Sequence, residues 1–293
     1  MKQVVITGVS TGIGNASVRV LIGRGFRVFG SVRQQADADR LQGEFGEMFV
    51  PLLFDVTDEA AIQRSAEKVG QLLHSATLDG LVNNAGIEVT GPLAYLPTDL
   101  FRHQLEVNVL GPAMVTKAFL PLLGADPVRQ GEPGRIVNIS STSGRIAGPF
   151  TGAYSASKFG LEGYSESLRR ELILFGIDVI IIRPGAVVTP IWQKAEAGVT
   201  DRFRQTPYVE ALTNFERYSA QEATSGLAPE VIGKAVWRAL TVRRPAVRSA
   251  IVPKRLINWT IPRLIPMRTL DKLVAQFFGI KRRRHGPPPG TES

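Results

Sequence analysis

A tyrosine and a lysine four residues apart, Tyr154 and Lys158, are the side chains of this sequence best suited to moving a proton. The i,i+4 spacing places both on one face of a helix. A tyrosine is a weak acid, with an ordinary pKa of about 10, and a neighbouring ammonium group lowers that pKa by favouring the phenolate. The pair therefore predicts general acid–base chemistry on an alcohol or carbonyl oxygen.

A hydroxyl and an amide lie upstream of this pair. Ser141 follows an apolar run at residues 136–140, a predicted strand, so its hydroxyl emerges at the carboxyl edge of a sheet beside Tyr154. There it can hydrogen-bond a substrate oxygen, and Ser140 is the competing candidate for this role. Asn108 lies in an apolar helical pattern, where a buried amide must find partners. Two roles stay open for Asn108, holding a water in a proton relay from Lys158 or bridging helix backbone.

A glycine-rich turn near the start of the chain predicts a phosphate site. Residues 4–7 form a short apolar strand, and a helical pattern begins at about residue 12. Glycines between them let the backbone approach a pyrophosphate closely, and the N-terminus of the helix supplies N–H groups that bind it. The cofactor contacts expected from this motif are Gly8, Ser10, Thr11, Gly12, Ile13 and Gly14.

The end of the second predicted strand distinguishes between two dinucleotides. An acid there binds the ribose hydroxyls of NAD, whereas a cation suits the 2′-phosphate of NADP. Val32 stands where an acid is expected, and Arg33 follows it. Because Arg33 can form a charge-assisted contact with a phosphate, the sequence predicts NADP(H), with NAD(H) as the alternative. The competing interpretation of Arg33 is a solvated surface arginine.

Further candidates close the third and fourth predicted strands at the same edge. Asp55, which precedes Val56, is positioned to meet the adenine amino group of a dinucleotide. Alternatively, Asp55 or Thr57 caps the following helix. The cofactor contacts expected at the end of the fourth strand are Asn83, Ala85 and Gly86.

The elements that carry these residues alternate between strand and helix. Apolar runs predict strands at residues 4–7, 27–32, 48–54, 78–83, 136–140, 177–183 and 248–252. Helical patterns cover residues 12–24, 58–74, 98–123, 152–175 and 229–242. Strands that are apolar throughout, rather than alternating, indicate a sheet covered on both faces. The prediction is an α/β fold of Rossmann type, a doubly wound parallel sheet of about seven strands flanked by helices.

Taken together, these residues resemble the short-chain dehydrogenase/reductase family, and the sequence is similar to its branch of steroid and retinol dehydrogenases. The resemblance covers roughly residues 3–190 and includes Pro184, Gly185 and Thr189. It implies an NAD(P)-dependent oxidoreductase that interconverts an alcohol and a carbonyl. It also implies that Pro184, Gly185 and Thr189 shape the nicotinamide pocket, and that the protein forms a homodimer or homotetramer.

The same resemblance implies a role for each catalytic candidate. Tyr154 acts as the general acid/base, and Ser141 orients and polarises the carbonyl group. Lys158 lowers the pKa of Tyr154 and contacts the nicotinamide ribose, while Asn108 completes a proton relay.

The composition excludes several other kinds of site. The chain has no cysteine, which excludes disulfides, thiolate catalysis and cysteine-built zinc sites, and nothing points to an oxidising compartment. Only three scattered histidines are present, so a histidine metal cluster is not expected. No apolar stretch approaches the roughly 20 residues that span a bilayer, and no secretory signal is recognisable. The expected location is the cytoplasm.

The net charge of +9 comes from the C-terminal part of the chain. Twelve lysines and arginines and one acid lie between residues 243 and 284, so the remainder carries a slight excess of acids. No nucleic-acid-reading motif accompanies this basic segment, and no nucleic-acid partner is expected. Residues 286–290 are rich in proline and glycine and are predicted to be disordered.

The predicted organisation is one catalytic domain, residues 1–252, and an apolar and basic C-terminal extension, residues 253–293. Residues 186–227 break the strand–helix alternation and carry several aromatic residues, which indicates a substrate lid or, alternatively, surface helix whose aromatics complete the core. The extension packs on the body or a partner subunit and narrows the pocket, or lies on an anionic membrane. These features favour a hydrophobic substrate of steroid, retinoid-like or lipid type.

Two other functions remain as alternatives. The first is a reductase of 3-ketoacyl thioesters, which would use the same catalytic residues. The second is a regulator that senses NADP without catalysis, although such a protein would have no need of Tyr154.

Overall fold

A computed structural model describes residues 1–192 and 198–282 of the chain. Their seven strands form one parallel sheet in the order β3-β2-β1-β4-β5-β6-β7. The strands are β1 (Gln3–Ile6), β2 (Arg27–Val32), β3 (Phe49–Leu53), β4 (Gly80–Asn83), β5 (Arg135–Ile139), β6 (Asp178–Pro184) and β7 (Arg248–Ile251). The predicted doubly wound Rossmann-type sheet is confirmed, and each strand lies within a residue or two of its predicted position.

Helices cover both faces of this sheet. They are α1 (Gly12–Ile22), α2 (Gln35–Phe45), α3 (Glu59–Leu73), α4 (Thr98–Leu105), α5 (Gly111–Phe119), α6 (Gly152–Glu171), α7 (Val199–Arg202), α8 (Val209–Ser225), α9 (Pro229–Thr241) and α10 (Met267–Phe278). α1, α2 and α9 pack on one face, and α3, α5 and α6 pack on the other. Because side chains alternate along a strand, Val4 and Ile6 enter the first core and Val5 enters the second.

Two helical regions differ from the prediction. α2 was not predicted, because its sequence is mostly polar and only Ala38 and Leu41 are buried. The helix predicted over residues 98–123 is interrupted by a π-helical turn at Glu106–Leu110, between α4 and α5, and ends in a 3-10 turn at Leu120–Leu123. π-helical turns occur frequently at functional sites, and this one carries Asn108.

The segment after β6 is tied to the C-terminal extension by aromatic rings. Phe203 and Phe215 are buried in a small apolar cluster together with Phe150 and Phe278. The ring of Phe215 lies 5.6 Å from that of Phe150 and 5.8 Å from that of Phe278, measured between centroids. α10 therefore packs against α8, and part of the aromatic content of residues 186–227 completes a core.

A second contact fixes the extension to the sheet. Trp259 is buried in a π-helical turn at Leu256–Thr260. The guanidinium carbons of Arg183 and Arg263 lie 5.8 Å and 5.0 Å from the centroid of its ring. Arg183 also donates two hydrogen bonds to Glu162 of α6, at 2.8 and 2.6 Å.

The predicted disordered run at residues 286–290 lies outside the described residues. Among the helices described, none has the length and apolar character needed to cross a membrane.

Candidate active site

A cavity of about 640 Å³ lies at the carboxyl ends of the strands. It extends from the glycine-rich turn, past the predicted catalytic residues, to the aromatic side chains of α8 and α10. The predicted site residues that line it are Gly8, Ser10, Thr11, Gly12, Ile13, Arg33, Asp55, Val56, Ala85, Gly86, Ser141, Tyr154, Lys158, Pro184, Gly185 and Thr189. Thus the fold brings together residues from the ends of six strands.

The glycine-rich turn fits the phosphates of a dinucleotide. Gly8 and Gly12 have φ angles of +69° and +60°, which residues other than glycine rarely adopt. A Cβ atom at Gly8 would lie 2.8 Å from the Cα atom of Ala85, so no side chain fits between the turn and the loop after β4. Asn84 holds the turn by donating to the carbonyl oxygens of Thr7 and Gly8, at 2.9 and 3.0 Å. The result is a bare backbone cradle at the N-terminus of α1.

Two of the predicted cofactor contacts do not line the cavity. The side chain of Asn83 is buried inside the fold and donates to Thr116 at 3.1 Å and to Asn138 at 2.8 Å, so it joins β4 to α5 and β5. Gly14 packs against the glycine-rich turn itself. Asn84, rather than Asn83, reaches the cavity wall.

Arg33 and Asp55 form an ion pair at the rim of the cavity, with 3.6 Å between Nη1 and Oδ2. Burial raises the pKa of Asp55, but hydrogen bonds from Thr57 and the charge of Arg33 outweigh this effect and hold the pKa below its usual range. The alternative that Asp55 or Thr57 caps the next helix is wrong, because Asp58 accepts the capping hydrogen bond from Ala61.

The catalytic candidates meet at the centre of the cavity. Ser141 and Tyr154 are hydrogen-bonded to each other, and Ser141 also accepts from the backbone N–H of Ser143 at 3.1 Å. The Nζ atom of Lys158 donates to the carbonyl oxygen of Ile139 at 2.9 Å and lies 5.6 Å from the centroid of the Tyr154 ring. The geometry favours Ser141 over Ser140 as the partner of Tyr154.

The electrostatics of the pair differ from the expectation that Lys158 lowers the pKa of Tyr154. Burial raises the pKa of Tyr154 and the charge of Glu88 raises it further, which outweighs the opposing effect of the hydrogen bond from Ser141. Burial also lowers the pKa of Lys158 to about 8, although Glu88 and Glu162 favour its charged form. Tyr154 therefore keeps its proton at neutral pH, which is the form needed to protonate a carbonyl oxygen.

Asn108 contacts loop backbone and the side chain of Ser157 in α6, whereas its second predicted role was to bridge helix backbone. Its Oδ1 atom accepts from the N–H of Ile87 at 2.9 Å, and its Nδ2 atom donates to the carbonyl of Ile87 at 2.9 Å and to Ser157 at 3.0 Å. Asn108 thus joins the loop after β4 to α6 from behind the cavity wall. A Cβ atom at Gly86 would lie 3.2 Å from Asn108 Oδ1 and 3.8 Å from Lys158 Nζ, which places the amide close to the catalytic lysine.

Several residues of the site were missed by the sequence reasoning. Glu88 lines the cavity two residues after Gly86, and Gln104 holds the backbone on both sides of Glu88 from α4. Glu88 lies two residues after the Asn-Asn-Ala-Gly turn, so its position in the chain was a signal that could have been used. Val274, Phe277 and Phe278 of the C-terminal extension, which was expected to narrow the pocket, line the apolar end of the cavity.

The comparisons with known proteins agree with this geometry. The model of a protein family described as short chain dehydrogenase matches residues 2–200. The chain belongs to the short-chain dehydrogenase family. This dehydrogenase is 36% identical over 273 residues to an NADPH-dependent 3-dehydrocapnine reductase of Ornithobacterium rhinotracheale, covering 93% of this chain and 96% of that protein. It is 42% identical over 283 residues to human retinol dehydrogenase 5, covering 92% and 87% of the two chains.

A solved structure shows the same fold. The crystal structure of a short-chain dehydrogenase from Streptomyces avermitilis matches with a TM-score of 0.74 and 28% identity, over 95% of each chain. The predicted family membership and the likeness to the retinol dehydrogenase branch are confirmed. This short-chain dehydrogenase is accordingly an oxidoreductase.

Proposed function

We propose that this dehydrogenase interconverts an alcohol and a carbonyl with NADP(H), on a hydrophobic substrate. The observation that carries the proposal is the meeting of Ser141, Tyr154 and Lys158 in one cavity with the glycine-rich turn. One end of this cavity fits the phosphates of a dinucleotide, and the other end is aromatic. The reacting groups lie between the two ends, which is the arrangement that a hydride transfer between cofactor and substrate needs.

In the proposed carbonyl reduction, each residue of the site has its own role. When bound, NADP(H) supplies or accepts the hydride. Ser141 hydrogen-bonds the substrate oxygen and orients it towards Tyr154, and Tyr154 donates its proton to that oxygen. Lys158, held by the carbonyl of Ile139, contacts the ribose of the cofactor and carries a positive charge below pH 8. Asn108 positions the wall behind Lys158, and Pro184, Gly185 and Thr189 shape the nicotinamide pocket.

The cofactor is NADP(H). β2 ends without an acid, and Arg33 lies on the cavity wall beside the glycine-rich turn. The Arg33 side chain is 70% exposed and its pairing with Asp55 is long, so the pair contributes little and Arg33 can turn to a phosphate at small cost. The reductase of Ornithobacterium rhinotracheale is named as NADPH-dependent. Whether Asp55 meets the adenine amino group stays a prediction.

Replacing Arg33 with alanine tests the cofactor assignment. We expect the wild-type protein to bind NADPH at least tenfold more tightly than NADH, a difference of roughly 1.4 kcal/mol, and the variant to lose this preference. Isothermal titration calorimetry measures both constants. Arg102→Ala is the matched control, because Arg102 forms an exposed ion pair with Asp99 away from the cavity. Equal or tighter binding of NADH by the wild type would overturn the assignment.

The aromatic end of the cavity supports a hydrophobic substrate of steroid, retinoid-like or lipid type. Its walls include Trp192, Phe215, Tyr218, Val274, Phe277 and Phe278. Human retinol dehydrogenase 5, among the relatives, is named for a lipophilic alcohol. The described part of the predicted lid, residues 186–192 and 198–227, would close over such a substrate together with α10, and the rest of that prediction lies outside the described residues.

A panel of carbonyl substrates tests this assignment. We expect kcat/KM to be highest for long-chain and polycyclic ketones or aldehydes and at least tenfold lower for small polar ketones and sugars, because only the former bury apolar surface against α8 and α10. Acetoacetyl thioesters are the third class, and a preference for them would favour the alternative function, 3-ketoacyl thioester reduction. Turnover of none of these carbonyls, with tight NADPH binding, would favour the NADP-sensing regulator.

The exposed side chains of the extension support contact with an anionic lipid surface. The exposed apolar residues include Leu256, Ile257, Ile261, Leu264, Met267, Leu273 and Phe277, and the cations near them in the chain include Lys254, Arg255, Arg263 and Arg268. Apolar residues flanked by cations are typical of segments that lie at a membrane surface. Because Phe277 also lines the cavity, a lipophilic substrate would reach the site directly from the lipid. We therefore propose a cytoplasmic protein that binds membranes peripherally.

Exposed apolar residues outside the extension support a homodimer or homotetramer. Phe159 in α6 is exposed, and Ile173 and Leu174, just after α6, are 73% and 80% exposed.

Sedimentation tests both the oligomer and the membrane contact. We expect an oligomer in solution, and cosedimentation with vesicles that contain phosphatidylserine but not with neutral vesicles. A monomer would contradict the proposed oligomer. Equal partitioning to both kinds of vesicle would contradict the proposed contact with an anionic membrane.

A further inference from the structure

β6 leads directly into the predicted nicotinamide pocket. Pro184, its last residue, and Gly185 line the cavity, whereas Arg183, one residue earlier, is not part of the described cavity wall. The Arg183 side chain is only 13% exposed, so it lies among other groups of the protein. Contacts that hold Arg183 or the backbone of Gly185 can therefore fix this wall of the pocket without touching a ligand.

The junction between β7 and the C-terminal extension, residues 252–263, packs against Gly185. The N–H of Gly185 donates to the carbonyl oxygen of Ile251 at 2.9 Å, which extends the pairing of β6 with β7 by one residue. A Cβ atom at Gly185 would lie 2.9 Å from the Cγ1 atom of Val252, so the Val252 side chain rests directly on the backbone of Gly185. Val252 is not part of the described cavity wall, and it supports this wall from outside.

The junction contacts β6 a second time through an aromatic ring. Trp259 is 4% exposed, and the centroid of its ring lies 5.8 Å from the guanidinium carbon of Arg183. Arg263, in the same junction, lies 5.0 Å from that centroid. The attraction between a guanidinium group and an aromatic face is stronger when water is excluded from both. The junction is therefore fixed to the end of β6 at two points, Val252 and Trp259.

The guanidinium group of Arg183 also reaches the helix that carries the catalytic residues. It donates to Glu162 of α6 at 2.8 and 2.6 Å, and Glu162 lies one helical turn after Lys158. Arg183 thus joins the junction, the nicotinamide pocket and the catalytic helix. Because a misplacement of about 1 Å can slow a reaction by about 10²-fold, contacts that set the spacing between pocket and helix influence the rate.

We propose that Val252 and Trp259 are positioning residues for the reaction, which hold the nicotinamide pocket at a fixed distance from the catalytic groups of α6. The inference rests on the proposed function, in which Pro184 and Gly185 shape that pocket. Val252 and Trp259 act through the end of β6 and do not touch the cofactor or the substrate. The C-terminal extension thus contributes to the catalytic rate in addition to supplying the aromatic wall of α10.

Three substitutions test this role in the reduction of a carbonyl substrate with NADPH. Val252→Ala removes the two methyl groups that rest on Gly185, and Trp259→Leu removes the ring that faces Arg183. We expect each to lower kcat about tenfold, because the nicotinamide is misplaced, with little change in the KM for the carbonyl substrate. Trp259→Phe keeps an aromatic face towards Arg183 and should restore most of the wild-type kcat.

Trp237→Leu is the matched control for the loss of a tryptophan. Trp237 of α9 is partly buried, and the centroid of its ring lies 4.5 Å from the guanidinium carbon of Arg24, so it makes the same kind of contact as Trp259. Trp237 is not part of the described cavity wall, and Arg24 follows the end of α1 that is away from the glycine-rich turn. Trp237→Leu should keep the wild-type kcat. A loss equal to that of Trp259→Leu would reflect general destabilisation and overturn the role of Trp259.

Ligand binding provides a readout that needs no turnover. Adenosine 2′,5′-bisphosphate resembles the adenosine end of NADPH and lacks the nicotinamide. By calorimetry, it should bind equally to the wild type, Val252→Ala and Trp259→Leu. NADPH should bind about fivefold more weakly to the two variants than to the wild type, a difference of roughly 1 kcal/mol.

The outcomes separate this inference from the proposed function. Wild-type kcat and NADPH binding in Val252→Ala and Trp259→Leu would overturn the positioning role and leave the proposed function in place. A higher KM for the carbonyl substrate as the only change would assign both residues to the substrate wall and also overturn it. If the wild type reduces no carbonyl, the proposed function fails, and a selective loss of NADPH binding in the variants would still support the positioning role.

Discussion

Replacing Tyr154 with phenylalanine should reduce kcat for carbonyl reduction by about 10³-fold, within the range of general acid catalysis. The hydroxyl that is lost is hydrogen-bonded to Ser141, and in the proposed mechanism it carries the proton that the substrate oxygen receives. Burial keeps that hydroxyl protonated at neutral pH, and within the described cavity wall Tyr154 is the tyrosine next to Ser141 and Lys158. Steady-state kinetics with NADPH measure kcat, and calorimetry measures NADPH binding, which should change far less.

Tyr164 provides the matched control for this substitution. It lies on the same helix, α6, its side chain is partly buried, and its hydroxyl interacts with Thr116, which does not line the cavity. Tyr164→Phe should therefore retain kcat within about twofold, well below the loss expected for a general acid. A Tyr154→Phe protein that reduces ketones at the wild-type rate would refute the proposed mechanism. If that variant also binds NADPH as tightly as the wild-type protein does, the alternative function, a regulator that senses NADP without catalysis, would be the better interpretation.

Replacing Arg183 with methionine should lower the free energy of unfolding by about 3 kcal/mol, because removing one partner of a buried ion pair leaves the other charge uncompensated. Arg183 and Glu162 are 13% and 10% exposed, and two hydrogen bonds join them. Without Arg183, the nearest cation to Glu162 would be Arg248, at 4.0 Å. The same substitution removes the guanidinium group that contacts Trp259. Urea denaturation followed by circular dichroism measures the change.

The ion pair between Arg19 and Glu44 is the control for the buried pair. The side chain of Arg19 is 51% exposed, and exposed pairs contribute less than about 1 kcal/mol. Arg19→Met should therefore leave the urea midpoint nearly unchanged. A loss below about 1 kcal/mol for Arg183→Met as well would show that water or Arg248 compensates Glu162, and that the pair contributes little to stability.

The strands could be predicted because their sequence signals are local. β2 is an apolar run that begins two residues after Gly25 and ends before Arg33, and its observed bounds are the predicted ones. α2 was missed for the opposite reason. Its buried residues Ala38 and Leu41 are surrounded by polar ones, and the helix is recognisable only once β2 and β3 have been brought side by side.

The candidate catalytic residues that line the cavity could be named from their order along the chain, whereas the residues that position them could not. Asn83 and Asn84 are neighbours of the same type, yet the side chain of Asn83 is buried and bonded to Asn138 of β5 and that of Asn84 reaches the cavity, and the sequence contains nothing that tells them apart. Gln104 is 16 residues from Glu88 in the chain, and its side chain bonds the backbone of Ile87 and Val89 on either side of Glu88. The rise in the pKa of Tyr154 depends on burial, which a spacing rule does not contain.

The parts of the cavity wall are synthesised in a fixed order, the cofactor end before the aromatic end of α10. Every residue assigned here to the cofactor and to proton transfer precedes residue 190, and β1 to β6 are complete by Pro184. The aromatic wall of α10 is contributed by residues 267–278, close to the end of the chain. A domain folds as a unit, and α9, residues 229–241, packs in one core with α1 and β1 behind the dinucleotide cradle. The cradle is therefore complete only once α9 has been synthesised, and α10 follows it. A chain that stopped between the two helices would keep every residue assigned here to contact the cofactor and lack the wall that selects the substrate.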